Sequence, residues 1–428
     1  MSSTFYGLEI ARKGLFISQK GLDVTGHNIA NANTPGYTRQ RLIATSLEPG
    51  KSSDGVFTYT AKGQVGGGVT IQELSQIRDK FLDMQYRREN TKLGEWSTKT
   101  QALQYIEDVF REPSDAGLNA VLANFFSDIQ EMSKAPESKE IRTLVRQDAI
   151  KLTETLHHYY DQMVQLQSEQ DTAIDITVNQ INDIARNIRD LNEQIFRFEV
   201  GGENANDLRD KRNILIDDLS TLVKIDYYET PGGRFRVDIG GMALVDHTKF
   251  QTLETVKDDG TNPAGDDLDN LYSVKWAGSS IDVAIQGGKL KGYMDIRDGE
   301  TADNMGIPYF IQQLNTFARA FVKEFNKIHK EGYTLPEGGN VSKPGADFFT
   351  HDKEAEEADS SLVTAKNITI SKAILESVYN IAASGEEVAT NDPNKPGNNI
   401  IALELAGLRD KKVEDLGGNF EDFNKGII

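Results

Sequence analysis

The sequence predicts an α+β fold: an elongated rod of long antiparallel helices, an inserted antiparallel β domain and an N-terminal heptad helix. Three observations lead there. Leu8, Leu15, Leu22 and Ile29 recur every seven residues, the pattern of a helix with one adhesive seam. A single apolar seam then runs through residues 138–199. After Gly201-Gly202 the period changes to short alternating runs separated by Gly-Gly, Pro-Gly and Asp-rich breaks, which mark antiparallel strands.

Residues 1–40 form an assembly helix, about 4–32, and a turn. The positions between the seam residues are Ala11, Ser18, Thr25 and Ala32, small enough for a partner backbone to approach closely. Each large seam residue would contribute roughly 1.5–3 kcal/mol if fully buried. Backbone ordering costs about 1–2 kcal/mol per residue, so an isolated helix of this length is marginal in water. It needs a neighbour. Asn31, Asn33, Pro35 and Gly36 then collect helix stops and turn formers.

Residues 41–73 read as an extended linking arm, with alternation in Val56–Ala61 and Gly68–Ile71. Residues 74–223 supply the first part of the rod. Helical spacing runs from Leu74 through Ile77, Phe81, Met84, Trp96, Leu103, Ile106 and Phe110, and a short helix follows on Leu118, Leu122, Phe125, Ile129 and Met132. The long seam reads Leu152, Leu156, Tyr159, Met163, Leu166, Gln170, Ala173, Thr177, Ile181, Ile184, Ile188, Leu191, Ile195 and Phe198. Its middle is weakened by Gln170 and Thr177, which would set register at some cost in stability. A helix at 206–222 closes this part.

Residues 224–300 are the β-rich insertion. Residues 301–332 return to the rod as a helix through Phe310, Leu314, Phe317, Phe321, Phe325 and Ile328. Residues 333–428 mix loops, a strand at Asn367–Ile370 and short helices near 373–381 and 399–408.

The charge balance is 47 cations against 66 anions, a net −19. That argues against nucleic acid, whose binding rests on cations neutralising phosphates, and against anionic lipid surfaces. No run of 18 apolar residues is present to span a membrane, and Lys13 and Lys20 interrupt any secretory h-region. The chain has no cysteine, which removes disulfides and thiolate chemistry and suits a protein that crosses redox compartments.

Catalytic patterns are missing: no metalloprotease, P-loop or nucleophile-elbow motif occurs. His157 and His158 are adjacent, so on a helix their rings point to different faces. Gly66–Gly68 precedes a strand-like run and reads as a tight turn, not a phosphate cradle. The acidic stretch Asp258–Asn270 lacks calcium-loop spacing and reads as a solvated hairpin tip, and Glu386–Gly397 is a polar loop. No enzyme, cofactor or metal is expected.

The segment Asn28–Arg39, NIANANTPGYTR, resembles the flagellar axial proteins, whose first helix is followed by an Asn-rich turn. Asn28, Ile29, Ala30, Asn31, Thr34, Gly36 and Tyr37 carry the match, and Pro35 with Arg39 points to the hook-associated protein 1 branch. Gly202–Val223, Gly287–Asp298 with Phe325–Tyr333, and Asn367–Ser384 with Asn398–Leu408 resemble that branch specifically. Hook and rod proteins lack these later stretches.

The resemblance implies a bacterial structural subunit, extracellular at the hook–filament junction and exported by the flagellar type III apparatus without a cleaved signal peptide. Its implied partners are other copies of itself, the hook protein, hook-associated protein 3, and the export apparatus with its chaperone. The family's long C-terminal helix, which carries the chaperone site, is read as lying beyond residue 428. The expected seam is Leu8, Leu15, Leu22 and Ile29. The expected turn is built by Asn28, Asn31, Thr34, Pro35, Gly36 and Tyr37. The competing readings are another axial subunit, or a surface enzyme with its activity in the β insertion.

Overall fold

The computed structural model describes residues 5–48, 66–110, 117–230, 233–257, 270–337, 341–352, 358–388 and 397–427. The expected strand at Val56–Ala61 and nearly all of the acidic stretch at 258–270 lie outside them. The helices are α1 (Tyr6–Ala30), α2 (Lys80–Phe110), α3 (Leu118–Lys134), α4 (Lys139–Glu199), α5 (Asn206–Leu222), α6 (Lys289–Asp298), α7 (Ile307–Lys330), α8 (Lys372–Glu376), α9 (Ile400–Gly407) and α10 (Phe420–Ile427). The strands before α6 are β1 (Gln40–Ser46), β2 (Val69–Gln76), β3 (Asp226–Glu229), β4 (Phe235–Ile239), β5 (Met242–Asp246), β6 (Lys249–Phe250), β7 (Leu253–Lys257) and β8 (Tyr272–Trp276). Four two-residue strands follow: β9 (Glu300–Thr301), β10 (Asn304–Met305), β11 (Phe349–Thr350) and β12 (Thr369–Ile370). The fold is α+β.

The chain folds into two compact units, one from Met1–Ser97, Asp175–Val256 and Tyr272–Gly292, the other from Thr98–Ile174, Lys257–Leu271 and Tyr293–Ile428. Both α2 and α4 contribute to each.

In the first unit β1 and β2 pair antiparallel, and β3-β4-β5-β6 form a four-stranded antiparallel sheet. The β4–β5 turn is Gly240-Gly241 at φ +56° and +87°, a two-residue hairpin that needs glycine at both positions. Val237, Ile239, Leu244 and Val245 of this sheet are buried, as are Ile216 and Leu219 of α5 and Ile181 and Ile188 of α4. A Cβ on Gly94 of α2 would sit 2.1 Å from the Thr221 carbonyl oxygen, so a glycine is what lets α2 come this close to α5. Thr91 Oγ1 donates to the Ser220 carbonyl at 2.7 Å, and Arg87 Nε donates to Asp217 Oδ1 at 2.6 Å.

The second unit holds one continuous apolar core. Phe125 and Phe126 of α3 pack with Phe321 and Phe325 of α7, with Phe348 and Phe349, and with Phe420 of α10. Pro308 opens α7, where its missing N–H leaves no partner unsatisfied. Two buried polar side chains brace the loops around this core. Arg142 donates to the carbonyls of Pro136 at 2.7 Å and Ile381 at 2.5 Å. His329, fully buried, bonds through Nδ1 to the Ala346 carbonyl at 2.6 Å and accepts the Ala382 N–H on Nε2 at 2.8 Å.

Three local expectations are corrected. Helix α2 starts at Lys80, and Leu74 belongs to β2. Of the apolar positions read as its core face, Ile77, Phe81, Met84, Trp96 and Leu103 are exposed, and only Ile106 and Phe110 are buried. The reason lies on the opposite face, where Arg87, Thr91 and Gly94 meet α5 through hydrogen bonds and close backbone contact. In α4 the expected seam is buried from Leu152 to Leu166 and again at Thr177, Ile181, Ile188 and Ile195, but Ile174, Val178, Ala185 and Asn192 are buried beside it and Phe198 stands 53% exposed. A strict seven-residue repeat drifts about 20° per heptad against a 3.6-residue helix, so over this length neighbouring positions join the buried face and the last seam position leaves it. Finally, α10 was not expected, although Phe420, Asn424 and Ile427 have helical spacing and are buried.

Candidate functional site

Helix α1 has two apolar stripes with different fates. Ile10, Lys13, Ile17, Val24 and Asn28 are half-buried, a stripe at 3–4 residue spacing that faces the β1–β2 hairpin. Ile10 lies 3.5 Å from where a Gly68 Cβ would be, and Lys13 Nζ donates to the Gly67 carbonyl at 3.3 Å. A cavity of about 430 Å³ remains between α1 and the hairpin, lined by Arg12, Phe16, Ile17, Leu47, Val69 and Ile71 among others.

The seven-residue seam points elsewhere. Leu8 is 67% exposed, and Leu15, Leu22 and Ile29 are each 72% exposed. No residue of α1 is buried. Beside the seam stand Gly7, Gly14 and Gly21, also spaced by seven, and a Cβ at any of them would meet nothing within 4 Å. Glycine in a helix interior costs about 1 kcal/mol relative to alanine. Here that cost leaves a smooth ridge on which a second backbone could lie close.

The turn after α1 is a hydrogen-bonded network. Asn28 pairs with the backbone of Gln40 in both directions, Nδ2 to the carbonyl and Oδ1 from the N–H, each at 2.9 Å. The Tyr37 hydroxyl donates to Asn28 Oδ1 at 2.8 Å and shares a 2.9 Å hydrogen bond with His27 Nδ1. Asn31 Nδ2 donates back to the His27 carbonyl at 3.0 Å, and Thr34 Oγ1 donates to Asn31 Oδ1 at 3.3 Å. Gly36 has φ +74°, a region that glycine enters without penalty. A Cβ on it would lie 2.4 Å from two atoms of Ile214. Pro35 is exposed.

Residues that the spacing does not reveal complete the network. Thr38 N–H donates to Asp210 Oδ2 at 2.9 Å, Gln40 Nε2 to Asp207 Oδ1 at 2.8 Å, and Gln76 Nε2 to Asp210 Oδ1 at 2.8 Å. Burial raises the Asp210 carboxyl above its ordinary value, against the lowering pull of its bonds from Thr38 and of Arg78. Burial, then the charges of Asp207 and Asp210, raise the Tyr37 phenol. The only signal in the sequence was the acidic spacing at the start of α5, which pattern reading assigns to a helix N-terminus.

Elsewhere the histidines hold structure. His157 Nε2 bonds to the Ile368 carbonyl at 2.8 Å. Among the described residues no cluster of three or more His, Asp or Glu side chains is arranged to hold a metal ion, and no helix is long and apolar enough to cross a membrane.

Comparison with known proteins gives a consistent result. Residues 103–349 match the family described as "Flagellar hook-associated protein FlgK helical domain", and residues 8–38 match "Flagella basal body rod protein". Flagellar hook-associated protein 1 of Bacillus subtilis is 33% identical over 449 residues, covering 100% of this chain and 85% of the relative. The protein of the same name from Salmonella typhimurium is 27% identical over 350 residues, covering 79% of this chain and 58% of the relative. The structure of the flagellar hook junction protein FlgK from Burkholderia pseudomallei shares the fold at a TM-score of 0.51 and 23% identity, covering 63% of this chain and 47% of that one. The chain thus spans just over half of the Salmonella relative and just under half of the Burkholderia chain.

Proposed function

The chain belongs to the flagellar hook-associated protein 1 family, and we propose that it is a non-enzymatic structural subunit that joins hook to filament. The observation that carries this reading is a helix whose large apolar seam is exposed along its whole length. Burying the four side chains Leu8, Leu15, Leu22 and Ile29 would contribute roughly 1.5–3 kcal/mol each, a gain left for a neighbouring surface to supply. The turn motif Asn28–Tyr37 supports the assignment to an axial protein, because its side chains spend their hydrogen bonds on shaping the chain.

In this reading α1 carries both inter-subunit and intra-subunit helix packing, with Leu8, Leu15, Leu22 and Ile29 as knobs. Asn31, Pro35, Gly36 and Tyr37 redirect the chain. The hook protein and hook-associated protein 3 are the neighbours on either side, and the flagellar export apparatus with its chaperone delivers the subunit outside the cell. The net charge of −19 keeps unassembled copies soluble and apart.

The test is Leu15→Asp combined with Leu22→Asp in the full-length protein. Both positions are exposed, so circular dichroism and thermal unfolding should match the parent while filament growth on the hook is lost. A doubly substituted protein that still assembles and supports filaments contradicts the packing role.

A further inference from the structure

The turn motif does not close on itself. Thr38 and Gln40, which follow it, and Gln76 of β2 hydrogen-bond to the first two turns of α5, 130 to 172 positions later in the chain. Thr38, Gln40, Asn206 and Asp210 are each less than 10% exposed, so these are buried polar groups, and each has its partner. Asp210 takes one bond from the strand after the turn, through Thr38 N–H, and one from β2, through Gln76 Nε2. Asp207 takes Gln40 Nε2 from β1. Asn206 donates to the Leu74 carbonyl of β2 at 2.9 Å, and its own carbonyl accepts Gln76 Nε2 at 2.9 Å. Ile214, one turn further on, fills the space that a side chain at position 36 would need.

Both strands of the hairpin against which α1 lies are therefore held by one helix end. Two features make that end a firm seat. Ionised carboxylates accept shorter and stronger hydrogen bonds than neutral oxygens, and a carboxylate in the first turn of a helix is favoured by the helix dipole. The bonds from Thr38 and Gln76 to one carboxylate also fix the two strands relative to each other.

We infer that Asp210, assisted by Asp207, is the positioning residue that sets the direction in which α1 leaves its unit, and hence how the seam is presented. They act through Thr38, Gln40 and Gln76, and Asp207 also lies 3.8 Å from His27 Nε2 in the last turn of α1. The consequence for assembly rests on the junction reading; the local seat does not.

The chain's lack of cysteine makes the test direct. Spin labels at Ser18→Cys on α1 and Asp218→Cys on α5, both at exposed positions, report the angle between the helices as a distance distribution in the full chain. The parent should give one narrow distribution and a protected Thr38 amide. Asp210→Ala should broaden the distribution and speed Thr38 exchange on the order of 10- to 100-fold, the expected loss of a hydrogen bond to a charged group. Asp210→Asn keeps one acceptor, for the Thr38 N–H, but turns an NH2 group toward Gln76 Nε2, so it should restore Thr38 protection more fully than the distance distribution. Should Asp210→Ala unfold the unit, the pair Gln40→Ala with Gln76→Ala leaves α5 whole and should broaden the distribution in the same way.

A narrow distribution with a protected Thr38 amide in Asp210→Ala overturns the seat. So does an Asp210→Asn variant whose Thr38 amide exchanges as fast as that of Asp210→Ala. Filament complementation separates the two claims. A broadened distribution with normal filament growth overturns the link to assembly while the seat stands. An unchanged distribution in cells that fail to grow filaments overturns the seat and leaves the junction reading in place.

Discussion

Gly36 is the residue at which local backbone and tertiary contact ask for the same thing. Its φ of +74° is unfavourable for any side chain, and Ile214 occupies the Cβ position. Gly36→Ala should destabilise the first unit by about 1–3 kcal/mol, read as a shift in denaturation midpoint. Adding Ile214→Ala should recover the steric part and leave the backbone part. His329 makes a second prediction of this kind. Complete burial pulls its imidazole from an ordinary value near 6.5 down to about 4, and both ring nitrogens are already used, one donating and one accepting. The folded state thus holds the neutral ring. Above pH 6.5 its contribution is fully present, and it is lost as pH falls from 6.5 toward 4, where only the unfolded chain takes up the proton. The shift corresponds to about 3 kcal/mol. Urea titrations of the parent and of His329→Gln between pH 7 and pH 4 should converge as the pH falls, and parallel curves would contradict the assignment.

At the scale of elements, α4 shows how a correct period can miss part of a buried face. The spacing identifies a helix of 61 residues, and the seam is right where Leu152, Leu156, Tyr159, Met163 and Leu166 stand close together. Past polar Gln170 and small Ala173 it holds only in part: Thr177, Ile181, Ile188 and Ile195 are buried, and so are Ile174 and Val178 outside it. Substitution reads the difference directly. Ile174→Ala, buried although outside the expected seam, should cost about 2–5 kcal/mol, whereas Phe198→Ala, exposed although inside it, should change stability by less than about 0.5 kcal/mol. Equal costs would contradict the observed burial. Helix α2 teaches a related lesson. Its polar face is the one that docks on α5, because Arg87 finds Asp217 and Gly94 permits close approach, and neither partner is visible within the helix's own sequence. The seam of α1 was legible because seven-residue spacing is local information. The Asp207 and Asp210 seat was not, because its bonds connect residues more than 130 positions apart.

Across the whole molecule, the fold class and the family turn were legible, and the division into two compact units was not. Each unit is assembled from separate stretches of chain, and no shift in composition marks the points within α2 and α4 where one unit gives way to the other. Function at this scale depends on a contrast within one chain. The second unit buries its large apolar side chains in an aromatic core, while α1 leaves Leu8, Leu15, Leu22 and Ile29 outside. Two compact units, and in the first of them an N-terminal helix whose seam is exposed, suit the proposed junction subunit.

Hydrogen exchange across residues 8–29 tests that contrast most directly, comparing the full-length protein in dilute solution with the same protein assembled between hook and filament. The amides of α1 should exchange faster than those of α3 and α7 in the free subunit and become strongly protected on assembly, while those of α3 and α7 stay protected in both. Protection of α1 already complete in the dilute subunit, or no gain in it on assembly, would contradict the account.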